Sequence, residues 1–300
     1  MIARCHPAPD KPRVARRFSL HARTYAGATP VQSAMRRRLM HAVRDGLGDI
    51  PPRCILELGC GPGTLTGWLR ATFPEARLTA IDIAEDMIDA ARQAMPTGVT
   101  FDVADAETFV RHARDPYDLI VSNAAAQWFH DPGATLQRCR TLLADRGRLH
   151  WAMFGDGTFP ELRAAFASAY AALRRPPRDH VLPMASAARW RAWAPDADTA
   201  EVGYPIAYPD VPAFLHAVRR AGASHTGHPA RPLSRTVFRT MCAHYRDRFP
   251  APDGTGIVAT YHALFLSCAA MSKALCRDRR YPRPDEDRRR NTALTRRDTP

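Results

Sequence analysis

The chain has 300 residues, 45% hydrophobic and 24% charged, which is enough apolar material for a sizeable core and excludes wholesale disorder. Its net charge of +13 favours acidic macromolecular partners through electrostatic steering, with nucleic acid and acidic protein both open at this point. No apolar run approaches a membrane span, and the basic amino terminus has no apolar h-region, so neither a membrane segment nor a secretory signal is expected. Seven cysteines, none in a C-x-x-C pair, read as free thiols of a reducing cytosol, and the scattered histidines outline no metal site.

In chain order, PVQSAMRRRLMHAVRDGL (30–47) has the spacing of an amphipathic helix. Short strands are expected at 54–59, 77–83, 99–105, 117–123 and 148–154, with helices at 64–72, 84–94 and 133–143 between them. That alternation means βαβ units and a parallel sheet covered on both faces. After Phe154 the rhythm changes to helices at 161–173, 185–194, 211–221 and 234–248. Two strand-like runs, AEVGYPIAY (200–208) and GIVATYHALFL (256–266), flank the last pair and are expected to complete the sheet. The helices between 185 and 249 are then the natural cap. The closing segment RRYPRPDEDRRRNTALTRRDTP lacks apolar periodicity and reads as a disordered basic tail.

The segment ILELGCGPGTL (55–65) is a strand running into a glycine turn. In an open α/β sheet such a turn, beside the first strand, is where ligands bind. A dinucleotide fingerprint would place its third glycine at Thr64, whereas the glycines here are Gly59, Gly61 and Gly63. Pro62 deletes a backbone N–H from the turn, and Glu57 puts a carboxylate at the strand end, which opposes phosphate and suits a cation. Asp82 ends the second strand, where a carboxylate can take two ribose hydroxyls. Asp105 ends the third and can meet an adenine amino group, with the Ala106 N–H on a ring nitrogen. An adenosine cofactor with positive charge and no phosphate satisfies the set: S-adenosylmethionine.

The fourth strand ends in SNAAAQWFHD (122–131), without the Asn-Pro-Pro-Tyr type of sequence found in methylases of base or amide nitrogens, so nucleic acid is not the expected target. Trp128 there reads either as core packing or as an aromatic active-site wall.

Over about residues 13–269 the chain resembles the malonyl-[acyl-carrier protein] O-methyltransferases of biotin synthesis. The segments that carry the likeness are VARRFSLHARTYAGATPVQ, ILELGCGPG, IDIAEDMI, ADAE, SNAAAQWF, PELRAAF, HVLPMA, AVRRAGASHTG and ATYHALFLS. The resemblance implies an α/β, Rossmann-like class I methyltransferase with a mostly parallel seven-stranded sheet, helices on both faces and a helical cap inserted late. It implies one cytoplasmic methyltransferase domain over 1–276: a helical segment 13–50, a cofactor-binding core 51–155, and the cap with the last strands over 156–269. The tail 277–300 falls outside the family pattern.

Carried onto this chain, the cofactor motifs assign Glu57, Gly59, Cys60, Gly61, Gly63, Asp82, Ile83, Met87, Asp105, Ala106 and Asn123 to S-adenosylmethionine. Tyr25, Gln127 and Trp128 become positioning residues. The implied reaction methylates the free carboxylate of malonyl on an acidic acyl-carrier protein; another small carboxylic acid is the alternative acceptor. A carboxylic acid with a pKa near 4 is already ionised at neutral pH, so no general base is required and none is assigned. For substrate or carrier contact the candidate cations are Arg36–Arg38, Arg174, Arg175, Arg178, Arg219 and Arg220, with Arg219 and Arg220 foremost because they precede AGAS in the expected cap.

Overall fold

The computed structural model describes residues 9–25, 30–48, 50–221 and 233–270. Seven strands form one sheet in the order β3-β2-β1-β4-β5-β7-β6. The five strands β1 (Cys54–Leu58), β2 (Arg77–Asp82), β3 (Val99–Val103), β4 (Tyr117–Asn123) and β5 (Leu143–Phe154) pair in parallel. The exception in direction is β7 (Ile257–Ala269), which lies antiparallel between β5 and β6 (Asp198–Tyr208). This is the class I methyltransferase fold.

Alternation along the strands divides the core. In β1, Ile55 packs on one face of the sheet with Val31, Met35, Leu39, Leu65 and Leu69, from helices α2 (Pro30–Leu47) and α3 (Thr64–Thr72). Leu56 and Leu58 pack on the other with Val110, Leu136, Trp151 and Trp190, drawing in α5 (Ala106–His112), α6 (Pro132–Thr141) and α8 (Ala187–Trp193). Central strands buried on both faces are apolar almost throughout, as in LIV of β4. The edge strand β6 instead alternates exposed and half-buried positions. α4 (Glu85–Ala94) covers β2 and β3 through Ile88 and Ala91, and α1 (Lys11–Tyr25) lies against α4.

A separate core belongs to the cap. α7 (Pro160–Ala172), α9 (Val211–Arg220) and α10 (Arg235–Arg248) bury Leu162, Phe166, Phe214, Met241 and Tyr245 together with Ile257 and Ala259 at the start of β7. The expected helix at 185–194 is present as α8, but it packs on the sheet through Trp190 and Ala187 and not with the cap.

Two other departures have local causes. The fifth strand starts at Leu143, five residues early, because residues 144–147 are absorbed as an irregularity between the Tyr117↔Leu143 and Leu119↔Arg148 pairs. The seven-residue α5 went unread: it is short, and its start is held by Asp105, whose carboxylate accepts from the Thr108 N–H and hydroxyl. The domain boundary expected at 276/277 and the tail beyond it lie outside the described residues.

Candidate active site

The glycine turn is fastened to the second strand. Gly59 and Cys60 both donate N–H to the Ile81 carbonyl, at 2.8 and 3.0 Å. Gly61 N–H donates to Asp82 Oδ2 at 2.9 Å, and Ala84 N–H donates to Oδ1 at 2.9 Å. Asp82 is thus held rigidly at the edge of a cavity at the strand tips. Gly59, Gly61 and Gly63 have φ of 71°, 55° and 82°, a conformation costly for residues with a Cβ. Close approach adds a second requirement. A Cβ on Gly59 would lie 2.4 Å from that of Ala125, and one on Gly63 would lie 2.6 Å from Met95 Cε.

Of the residues assigned to the cofactor, Gly59, Gly61, Asp82, Ile83, Met87, Asp105, Ala106 and Asn123 converge on one cavity of about 70 Å³. Asn123 donates from Nδ2 to the Gln32 carbonyl at 3.2 Å, while its Oδ1 is buried without a partner, an acceptor suited to a cationic or N–H group. Ala106 opens α5, so its N–H has no helical acceptor. Asp105 is shared: Lys11 Nζ on α1 donates to its Oδ1 at 2.6 Å and pairs also with Glu107. Burial pushes the Asp105 carboxyl up, but the Lys11 and Thr108 hydrogen bonds outweigh it and hold the carboxyl below its usual range.

Glu57, Cys60 and Gly63 stand behind this cavity. Glu57 shares the Ile55 face of β1 and is 1% exposed, with its Oε2 accepting from the Thr66 hydroxyl at 2.6 Å. Burial, with the nearby Asp82 charge, raises its pKa to about 8 against the opposing Thr66 hydrogen bond and Arg36 charge. The shift favours the protonated carboxyl near neutral pH. Cys60 is buried against α4, and burial pushes its thiol well up. Gly63 is the close-packing point between the turn and α4.

A second cavity, of about 410 Å³, opens between the sheet and the cap. Its lining is mainly apolar: Phe154, Phe159, Leu162, Leu182, Met184, Phe214, Leu215 and Phe238, with Gln127, His180, Tyr261 and Arg219 as polar members. Gln127 donates from Nε2 to the Ala124 carbonyl at 2.7 Å. Arg219 is exposed at the rim, and Arg220, also exposed, is not part of the lining. The run AGAS that singled them out lies mostly outside the described residues.

Phe18, Tyr25, Ala124 and Trp128 line both cavities and so form the wall between them. Phe18 sits edge-on to Trp128 and to Tyr25, with ring centroids 5.7 and 6.1 Å apart. Tyr25 Cε1 lies 3.8 Å from where a Cβ on Gly61 would stand. Burial and the Asp82 charge push the Tyr25 phenol up to about 12, so it is a hydrogen donor at neutral pH. Ala124 and Phe159, one at the wall and one in the larger cavity, have φ of 58° and 59°. Left-handed backbone at residues with side chains is costly and concentrates at functional sites.

A methyltransferase domain family profile matches residues 55–147. The malonyl-[acyl-carrier protein] O-methyltransferase of Anoxybacillus flavithermus is 34% identical over 266 residues, covering 86% of this chain and 96% of the relative. The chain belongs to this family. The enzyme of the same name from Geobacter sulfurreducens is 34% identical, with 85% of this chain and 97% of the relative covered. That from Halalkalibacterium halodurans is 33% identical, with 87% and 99% covered. The crystal structure of the YcgJ protein from Bacillus subtilis matches with a TM-score of 0.51 at 17% identity, covering 77% of this chain and 97% of that one, and shares the fold.

Several site residues escaped the sequence reading. Lys11, Val14 and Phe18 line the smaller cavity from the same face of α1 as the expected Tyr25, at spacings of three, four and seven along Lys11, Val14, Phe18 and Tyr25. That periodicity was a usable signal. Phe159, Phe214 and Tyr261 come from three distant elements and meet at 4.6–4.9 Å between ring centroids. No local pattern announces such a cluster.

Proposed function

We propose that this protein methylates the free carboxylate of malonyl carried on acyl-carrier protein, using S-adenosylmethionine. The observation that carries the reading is the shared wall. A small cavity at the strand tips, bearing Asp82 and Asp105, and a larger apolar cavity under the cap share, among the described residues, Phe18, Tyr25, Ala124 and Trp128. Bound S-adenosylmethionine would supply a methyl group activated on a sulfonium. On this chain Asp82 would hold the ribose hydroxyls, Asn123 Oδ1 would accept from the ammonium, and Ala106 N–H would meet the adenine ring. The match of residue chemistry to those groups is what supports these roles.

The rest of the work is placement. The acceptor carboxylate arrives ionised, so the site needs no base, and the Tyr25 phenol, held protonated, can orient it by donating a hydrogen bond. Holding the two reactants in adjoining cavities, so that carboxylate oxygen, methyl carbon and sulfur can align where the cavities meet, can contribute roughly 7–11 kcal/mol through orientation. The apolar lining of the larger cavity keeps water from the carboxylate. Gln127 and Trp128 position the acceptor, and Arg219 with Arg220 meets the acidic carrier at the rim.

The test incubates protein and S-adenosylmethionine with malonyl-carrier protein, malonyl-coenzyme A or small diacids, and reads intact mass. One methyl gained by the carrier-bound substrate is expected. Verified cofactor binding without any gain on that substrate would overturn the reading, and a gain confined to small diacids would move it to the alternative acceptor.

A further inference from the structure

The cofactor named above is a zwitterion: beside its sulfonium and ammonium it carries a methionine carboxylate. The strand-tip cavity accounts for the positive groups and for the ribose, but its own carboxylates would repel that anion. Among the cations near the cavity, Lys11 is committed to Asp105 and Glu107. Arg36 is differently placed. It lies one turn beyond Gln32 on α2, so the two share a helix face, and Gln32 takes Asn123 Nδ2 at the strand tip and itself lines the larger cavity.

The Arg36 guanidinium is fixed in place. Its Nη2 donates to Ser33 Oγ at 2.9 Å, and its Cζ stands 5.1 Å over the Trp68 ring. Yet its Nε is buried with no acceptor, and among the described residues no carboxylate forms an ion pair with it. Its charge is felt by Tyr25 and by Glu57, at opposite sides of the glycine turn. A half-buried guanidinium held rigid by stacking, with a buried donor unfilled, is built to receive an anion.

We propose that Arg36 binds the methionine carboxylate of the cofactor, so that the site reads all three charges of the ligand. This rests on S-adenosylmethionine being the cofactor. The geometry also explains why an arginine serves here: stacking on Trp68 orients a planar fork, which a lysine cannot reproduce.

The test is calorimetric and needs no turnover. Wild-type protein, Arg36→Gln and Arg36→Lys are each titrated with S-adenosylmethionine and with its decarboxylated analogue, which lacks only the carboxylate. Wild type should bind the analogue at least about tenfold more weakly. Arg36→Gln should lose about 10- to 100-fold in affinity for S-adenosylmethionine while its affinity for the analogue stays within about twofold of wild type. Arg36→Lys should fall between. Equal wild-type affinity for the two compounds overturns the proposal without any variant, and so does an Arg36→Gln loss of the same size for both. A wild type that binds neither compound overturns the proposal and the cofactor assignment together.

Discussion

Glu57 shows how a residue can matter to a ligand it does not line. It stands behind the glycine turn, where burial, helped by the Asp82 charge, raises its pKa to about 8 against the Thr66 hydrogen bond and the Arg36 charge. A cationic ligand arriving at the turn favours the ionised form, so binding should release a proton. Affinity for S-adenosylmethionine should therefore rise with pH, by up to about tenfold per unit, and level off above pH 8. Calorimetry in buffers of different ionisation enthalpy would detect the released proton, and Glu57→Gln should flatten the dependence. Constant wild-type affinity from about pH 6.5 to about pH 8.5 would refute the linkage. The same shift has a stability sign. Burial favours the protonated carboxyl, so its contribution to stability is present at low pH and is lost as pH rises from the ordinary carboxylate range through about 8.

Among the elements, α1 decides access. It contributes Lys11, Val14, Phe18 and Tyr25 to the roof of a cavity of about 70 Å³. Small-molecule pockets usually measure roughly 300–1,000 Å³, so we expect α1 to shift as the cofactor enters. Its near end is pinned by Lys11 to Asp105 and Glu107, with Lys11 and Glu107 side chains only 16% and 9% exposed. Glu107 is itself anchored by the N–H groups of His130 and Asp131, both at 2.8 Å, which makes it a rigid post. Lys11→Met should free that end. Cleavage within α1 under limited proteolysis should speed up by about 5- to 50-fold, equivalent to about 1–2 kcal/mol of lost local stability. Saturating S-adenosylmethionine should slow it again. Unchanged cleavage would show that packing on α4, and not the ion pair, holds the helix.

At the scale of the molecule, charge is the property most visible to a partner. Of the net +13, the tail 277–300 carries nine arginines against five acidic residues. The proposed carrier contact nevertheless lies at the cap rim, near Arg219. Removing 277–300 should leave kcat, and KM for malonyl-carrier protein, within about twofold. In both forms KM should rise several-fold between about 50 mM and about 300 mM salt, because exposed charges steer the encounter. Loss of the salt dependence on truncation would assign docking to the tail.

How much of this was legible divides along physical lines. The strand tips at Gly59, Asp82, Asp105 and Asn123 could be read directly, because a parallel sheet delivers successive strand ends to one edge. Period and turn chemistry are local, and local signals are written in the chain. The direction of Glu57 was not legible, since one step along β1 decides between the α3 face and the opposite one. Nor was the commitment of Asp105 to Lys11, a contact spanning 94 residues. The larger cavity was least legible of all. Phe18, Trp128, Phe159, Phe214 and Tyr261 become neighbours only after α1, the cap helices and β7 have docked. Sequence alone therefore determined the sheet, the cofactor edge and the class of chemistry. Tertiary packing decided which side chains face each other across the wall, because that depends on how separately formed elements bury their remaining apolar faces.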